Sequence, residues 1–153
     1  MAKSKSVGTK FNIGTEAVGG LSSIGGVEIS SETTDVTALD NTTGYKEYLG
    51  GFKDGGEVPL EGFLDGEDEG HEAMYTALES QDETEFSIVF PAKIGKTWKF
   101  KGIVTKFATS AAVGDAVKFS ASVKVSGKPT LATTQTEQQT EQQTEQQAEQ
   151  QED

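Results

Sequence analysis

The chain contains no cysteine and no arginine, and it has a single histidine, His71. The lack of cysteine excludes disulfide bonds, cysteine nucleophiles and cysteine-ligated metals. Any Ser-His-Asp site would have to use His71, whose place on a predicted helix favours a packing or surface role. No apolar run reaches the length of a membrane span or follows the first residues as in a secretory signal. These absences predict a protein that is not an enzyme and has no cofactor, metal or membrane segment.

Basic residues are also scarce. The 13 lysines stand against 25 acidic residues, which gives a net charge of −12. Proteins that grip DNA phosphates are normally basic and use the bidentate fork of arginine. The composition therefore predicts a surface that avoids holding nucleic acid.

The composition divides the chain into three parts. Residues 1–26 are rich in glycine and serine and are predicted to form an N-terminal arm with one short strand. Residues 27–131 form the predicted β domain. Residues 132–153 contain a repeated Thr-Glu-Gln-Gln sequence that has nothing to bury, so we expect a disordered Glu/Gln-rich tail.

The middle part has the alternation and β-branched content of strands, with one helical segment at about 66–80. The helix would be capped by Asp65 or Asp68. Its apolar stripe would consist of His71, Met74, Tyr75 and Leu78. The strands are predicted at Val27–Leu39, Val58–Phe63, Thr84–Phe90, Thr97–Phe107 and Asp115–Val125. This order predicts a mainly β fold, an antiparallel sandwich or barrel with one packed α-helix.

Two local motifs fail on inspection. The glycines at 19–26 lack the Gly-Lys-Ser/Thr ending of a phosphate loop, because Val27 stands where lysine is required. The acidic run Asp65–Gly70 lacks the ligand spacing of a calcium loop and suits a helix start. Glu57 and Glu61 share a strand face, where alternating acids on a solvated surface are far commoner than a catalytic pair.

Residues 40–56 form a predicted long connection, and loops of this length in compact domains are usually functional. Its apolar residues are Tyr45, Tyr48, Leu49 and Phe52, at the spacing of a short amphipathic turn. Burying all four would contribute roughly 6–12 kcal/mol, comparable to the stability of a whole domain. Two surfaces could bury these side chains. The loop either folds back over its own sheet or docks on an adjacent copy.

The residues at 27–41 and 44–63 are similar to the early strands of siphophage tail tube proteins. The resemblance lies in an acidic strand, an Asp-x-Thr-x-Leu-Asp segment, a long loop ending in Lys-Asp-Gly-Gly and a Val-x-Leu-x-Gly strand. Residues 117–131, with Ser-Gly-Lys-Pro-Thr, resemble the last strand of that family and its Gly-x-Pro exit. The resemblance favours the alternative in which the loop docks on an adjacent copy.

The resemblance implies a subunit of stacked hexameric rings that form a hollow conduit for DNA delivery, in the tail of a virion assembled in the host bacterial cytoplasm. Its partners would be further copies and the tape measure, tail terminator and distal tail proteins, and DNA would pass without specific binding. The implied subunit interface consists of Tyr45, Tyr48, Leu49 and Phe52. The implied acidic residues of the lumen are Glu28, Asp35, Glu57 and Glu61. Two alternatives remain, a monomeric β-sandwich binding or adhesion module and the tube of a phage-derived injection machine.

Overall fold

A computed structural model of the chain describes residues 5–134. Its helix α1 covers Glu69–Ser80. Its strands are β1 Lys10–Ile13, β2 Glu16–Val18, β3 Leu21–Ile24, β4 Ser30–Asp35, β5 Tyr48–Asp54, β6 Glu57–Phe63, β7 Thr84–Val89, β8 Lys96–Ser110 and β9 Lys118–Thr133. This is the mainly β, antiparallel fold with one packed helix that the sequence predicts.

Seven strands form one antiparallel sheet in the order β2-β1-β7-β8-β9-β6-β3. The two edge strands, β2 and β3, are consecutive in the chain and are joined only by Gly19 and Gly20. A link of two residues can join the two edges only because the sheet curls until they meet. The Phe63 N–H donates to the Gly20 carbonyl at 2.8 Å, which extends the β3–β6 ladder as far as this link. The sheet is therefore a barrel closed by the chain itself.

Alternation along the strands fills the barrel with apolar side chains. In β6, Val58 and Leu60 are buried while Glu57 and Glu61 are exposed, as a period of two requires. The Phe86 ring lies 5.7 Å from the ring of Phe100, between centroids. The fully buried core residues of largest volume are Phe11, Leu60, Met74, Ile88, Val58, Val104 and Val123.

Helix α1 begins at the point where the barrel closes. Asp68 caps it, because its carboxylate accepts from the N–H groups of Gly70 and His71 and also from the Gly19 N–H at 3.0 Å. His71 donates from Nε2 to the Gly19 carbonyl at 2.7 Å and accepts at Nδ1 from the Asp65 N–H. The buried histidine thus holds the helix against the closure, which is the packing role expected of it.

The predicted N-terminal arm is corrected by the structure. Residues 10–24 form three strands of the barrel, and Phe11, Ile13 and Val18 belong to the core. The glycine content favoured a loop, but some glycines of this protein allow close packing between segments that are distant in the sequence. A Cβ at Gly70 would collide with the Ala17 carbonyl, and one at Gly62 would lie 2.9 Å from the Leu21 Cα. Ala132 and Thr133, the first residues of the predicted tail, belong to β9, and residues 135–153 of the tail lie outside the described residues.

Two local features shape the strands of the sheet. The β8–β9 register shifts on either side of Gly102, between Lys99 and Lys101 and again between Val104 and Lys106. Strand β6, which contains Pro59, is paired on both sides. The Pro59 carbonyl accepts from the Gly25 N–H at 2.7 Å, so its donor-less nitrogen faces the end of β3 and leaves the β9 ladder intact.

Candidate functional site

Strands β4 and β5 form a separate two-stranded sheet, which we call the ribbon, residues 30–54 including its turn. The predicted long loop with an amphipathic turn was therefore wrong, since Tyr48–Asp54 is a strand paired with β4. The predicted strand at Val27–Leu39 is shortened to Ser30–Asp35. Glycine and asparagine are concentrated in this segment, which favoured a loop, whereas cross-strand pairing decides the outcome.

Every residue of β4 and β5 is exposed to solvent. Tyr45 is 80% exposed, Tyr48 54%, Leu49 61% and Phe52 88%. The alternative in which this segment folds back over its own sheet is therefore contradicted. A lone two-stranded hairpin is marginally stable in water, and large exposed apolar patches mark interaction sites. The ribbon has the properties of a surface that another molecule covers.

A β-bulge orients the apolar side chains of the ribbon. Ser31 pairs with Lys53 and Thr33 pairs with Gly50, so Glu32 stands opposite both Gly51 and Phe52. The extra residue in β5 shifts the side-chain alternation. Phe52 consequently joins Leu49 on one face of the ribbon, and Tyr48 lies on the other. Each face presents apolar surface.

Hydrogen bonds within the ribbon order its turn. The Asn41 side chain accepts from the Thr43 N–H at 2.9 Å and donates to the Tyr45 carbonyl at 2.9 Å. Asp35 accepts from the hydroxyl and the N–H of Thr37, and these bonds hold the pKa of that carboxyl below its usual value. The ribbon is thus shaped by its own contacts before any partner binds.

The ribbon joins the barrel at a fixed base. The Asp54 carboxylate accepts from the Gly56 N–H at 2.8 Å and from Lys124 Nζ at 3.0 Å, and the two contacts lower the pKa of Asp54 in that order of importance. The Val125 N–H donates to the Gly56 carbonyl at 3.0 Å. A Cβ on Gly55 would lie 2.8 Å from the Val125 Cβ, so glycine is required there. These contacts set the direction in which the ribbon leaves the barrel.

The four acidic lumen candidates are not brought together. Glu57 and Glu61 share the face of β6 that points away from the core, which we call the open face of the large sheet. Glu28 lies between β3 and β4, and Asp35 lies on the ribbon. Only the first two could therefore belong to one sheet surface.

The open face carries charges of both signs. Glu57 stands opposite Lys124 in the β6–β9 ladder and accepts from the Thr105 hydroxyl at 3.0 Å. Further lysines on this face include Lys99, Lys101, Lys106 and Lys118. Its surface chemistry is mixed and strongly hydrated, unlike the apolar ribbon.

The described residues, 5–134, contain no group of acidic or histidine side chains that could hold a metal ion. Over the same range no helix has the length and apolar content needed to cross a membrane. The acidic run at 65–70 serves as the helix start described above.

A family model for the phage tail tube protein matches residues 2–131. The match covers most of the chain and includes the ribbon, the helix and every strand, except for the last two residues of β9. The chain belongs to the phage tail tube protein family. No curated protein matches it in sequence. The family match includes residues of the predicted arm, in agreement with their place in the barrel of this tail tube protein.

Solved structures share the fold of this tail tube protein at low sequence identity. The virion of a native gene transfer agent (GTA) particle contains a chain 16% identical, with a TM-score of 0.72, over 85% of this chain and 99% of that one. The tail of an empty GTA particle, refined with C6 symmetry, gives 18% identity and a TM-score of 0.67 over 81% and 93%. The SPP1 tail tube gives 16% identity and a TM-score of 0.60 over 82% and 76%. These likenesses show the fold.

Some exposed apolar residues in and beside the tail tube ribbon are missing from the predicted site. Ile29, Val36 and Leu39 are exposed like the four predicted residues, and Leu39 is fully so. They were read as part of a strand in the sheet. The signal that could have found them is the shift in apolar parity between Ile29 and Val36, which marks the departure from the barrel.

Proposed function

We propose that this chain is a non-enzymatic structural subunit that polymerises as stacked hexameric rings into a hollow tail tube, a conduit for DNA delivery into a host bacterium. The carrying observation is the ribbon, an ordered and exposed apolar element on a protein of the tail tube family. The sixfold symmetry of a GTA tail with this fold supports six copies in a ring.

In the proposed ring the ribbon docks on the neighbouring copy through Tyr45, Tyr48, Leu49 and Phe52. The exposed parts of these side chains equal nearly three whole ones, so covering them contributes about 4–8 kcal/mol per subunit. The ribbon is already ordered by its own turn, which lowers the entropy cost of docking. Because both faces of the ribbon carry apolar side chains, neighbouring copies can pack against each face.

The open face of the large sheet is the proposed channel wall, with Glu57 and Glu61 directed toward the passing DNA. DNA carries one charge per about 1.7 Å, and carboxylates on the wall counteract attraction to the lysines beside them. Glu28 and Asp35, which lie off this sheet, would contribute to the wall only if the ribbon or its base reaches the channel.

The proposed partners are further copies of the chain and the proteins that begin and end a tail, namely the tape measure, tail terminator and distal tail proteins. The assembled product is part of the virion tail and forms in the cytoplasm of the host. DNA is a passenger in this proposal and is not bound at a specific site.

Negative-stain microscopy of the purified, concentrated protein tests the proposal. Stacked rings or tubes with sixfold end views are expected. A protein that stays monomeric at all concentrations and salt conditions would instead favour a binding or adhesion module, which a glycan array would then probe.

A tube that carries protein cargo in a phage-derived injection machine is a second candidate. The sheath-tube complex of an extracellular contractile injection system contains a chain of this fold, 14% identical with a TM-score of 0.63 over 82% of this chain and 88% of that one. Adjacent genes decide between the two, since capsid and terminase genes would indicate a virion.

A further inference from the structure

Strand β9 has one side that no strand covers over its second half. On that side β6 pairs with the first part of β9, and the last bond of the ladder runs from the Val125 N–H to the Gly56 carbonyl. Strand β9 continues to Thr133, still paired with β8 on its other side. Beyond Val125 no strand of residues 5–134 pairs with it on the β6 side. We call this unpaired side of residues 130–133 the free flank of β9.

The free flank carries backbone groups that have no hydrogen-bond partner among the described residues. The Thr134 N–H donates to the Gly95 carbonyl at 2.9 Å, so Thr134 directs its backbone N–H at β8. Backbone groups alternate in direction along a strand, so those of Ala132 also point at β8. The N–H and carbonyl groups of Leu131 and Thr133 therefore point to the free flank, where another strand can bind them.

The sequence of the free flank lacks the features that keep exposed edges from pairing. Proteins commonly protect such edges with lysine, proline or other charged residues. Residues 130–134 read Thr-Leu-Ala-Thr-Thr, with no charge and no proline, and all five are exposed. Leu131 is 49% exposed and stands opposite Trp98 in the β8–β9 ladder. The flank thus combines unpaired backbone with an apolar side chain.

The ribbon of the same subunit does not pair with this flank. A groove of about 820 Å³ lies between residues 52–55 and residues 124–129 of β9. The charged residues of the groove have both signs, namely Glu32, Asp54, Lys53, Lys124 and Lys128, and Asp54 is already bonded to Lys124 at 3.0 Å. Charge therefore selects no occupant for this side of β9, and the unpaired backbone is the feature that does.

We propose that β5 of each ribbon pairs with the free flank of β9 in the neighbouring copy of the ring, with residues 48–50 opposite Leu131. The inference rests on the proposed tube and identifies the place where its ribbon docks. Strand β5 brings the exposed side chains of Tyr48 and Leu49 to Leu131, whereas β4 has no large apolar residue. Addition of a strand to a sheet edge is a common mode of protein recognition. Because the two surfaces differ, the contact can repeat from copy to copy around a ring.

A proline at Leu131 tests the backbone pairing. Leu131→Pro removes an N–H that points to the free flank and leaves the β8–β9 ladder bonded, as proline on an edge allows. The variant should stay monomeric, in sedimentation and in negative stain, at concentrations where the wild type forms rings, and its thermal unfolding temperature should stay near that of the wild type. Leu131→Val keeps the N–H and should form rings. Ala132→Pro is the matched control, since its lost N–H points at β8 and the unfolding temperature should fall.

Cysteine pairs identify the strand that occupies the flank, because the chain has no native cysteine. Leu131→Cys is combined in turn with Tyr48→Cys, Leu49→Cys and Gly50→Cys. At least one pair should give covalent multimers of up to six chains when the assembled protein is oxidised. Leu131→Cys with Thr33→Cys is the matched control and should give none, because β4 would lie one strand further away, beyond the reach of a disulfide.

The outcomes separate this pairing from the tube proposal. Rings that form in Leu131→Pro, or rings that give no multimers with any of the three pairs, overturn the pairing and leave the tube proposal standing. Disulfides within single chains, or multimers of more than six chains, also overturn it, since they place β5 on its own subunit or on another ring. If Leu131→Pro unfolds, the cysteine pairs decide alone. Wild-type protein that never forms rings overturns both proposals.

Discussion

Replacing Tyr48 and Phe52 by aspartate should abolish ring formation and leave the subunit folded. The two side chains lie on the ribbon, which has no extensive packing against the barrel. Substitutions at exposed positions without special contacts usually change the free energy of unfolding by no more than about 0.5 kcal/mol. The subunit therefore has little to lose from the change, whereas the proposed contact between copies loses two anchors.

The exposed fractions set the size of the effect. Phe52 is 88% exposed and Tyr48 54%, so together they offer the area of about one and a half side chains. At roughly 1.5–3 kcal/mol for each fully buried side chain, the double change removes about 2–4 kcal/mol per docked ribbon. That loss raises the critical concentration for assembly about 30- to 700-fold. Two buried carboxylates would add a desolvation cost in the same direction.

Sedimentation of the purified protein over a concentration series measures the critical concentration, and circular dichroism measures thermal unfolding of the subunit. Val7→Asp is the control for adding charge at an exposed apolar position away from the ribbon. If the double variant unfolds at a much lower temperature than the wild type, or if it assembles at the wild-type concentration, the ribbon is not the contact described here.

The remaining predictions concern the ribbon base and the channel wall. Gly55→Ala should lower the free energy of unfolding by about 1–3 kcal/mol because its Cβ would meet Val125, whereas Gly50→Ala, with open space around it, should not; chemical denaturation compares the two. The lowered pKa of Asp54 means that its contacts stabilise the base above the ordinary carboxyl pKa of 3.8 and are lost as the pH falls through the lower folded value. The protection factor of the Gly56 amide against hydrogen exchange, taken relative to the intrinsic rate at each pH, should therefore fall in strong acid, and at neutral pH in Asp54→Ala; unchanged protection would contradict this. Tubes carrying Glu57→Lys and Glu61→Lys should retain duplex DNA in a salt-dependent gel shift, while Glu72→Lys with Glu79→Lys on helix α1 should not, and equal retention would remove Glu57 and Glu61 from the channel wall.

The parts of the fold that follow from local physics were predictable from the sequence. Strands β6 and β7 alternate apolar and polar residues, and their positions agree with the sequence pattern. Strand β9 alternates as predicted up to Val125, but it begins at Lys118 instead of Asp115 and continues to Thr133. Helix α1 begins after one of the two acidic caps proposed for it. The closure of the barrel was not predictable, because it depends on Gly20 and Gly62 approaching backbone that is distant in sequence.

The ribbon shows why the sequence indicated a set of apolar residues outside the core but not their secondary structure. Tyr45, Tyr48, Leu49 and Phe52 have the spacing of one helical face, and the sequence cannot distinguish that from a strand with a bulge. The bulge at Gly51 gives the same spacing another meaning, since it turns Leu49 and Phe52 to one side. The prediction that these four side chains need a partner surface depended only on their apolar area and the surrounding glycines. It therefore does not change when the segment is a strand instead of a turn.

The arrangement of edges explains why assembly would depend on the ribbon. An unpaired strand edge is the usual place where a second chain adds to a sheet. In the large sheet both edge strands, β2 and β3, are short. The helix packs against Ala17 and Val18 of β2, and β3 begins directly after the linking residue Gly20. The ribbon, in contrast, has a free backbone edge on each of its strands and apolar side chains on both faces. The ribbon thus offers both unpaired backbone groups and exposed apolar side chains. A neighbouring copy that forms hydrogen bonds with a ribbon edge would also cover these side chains.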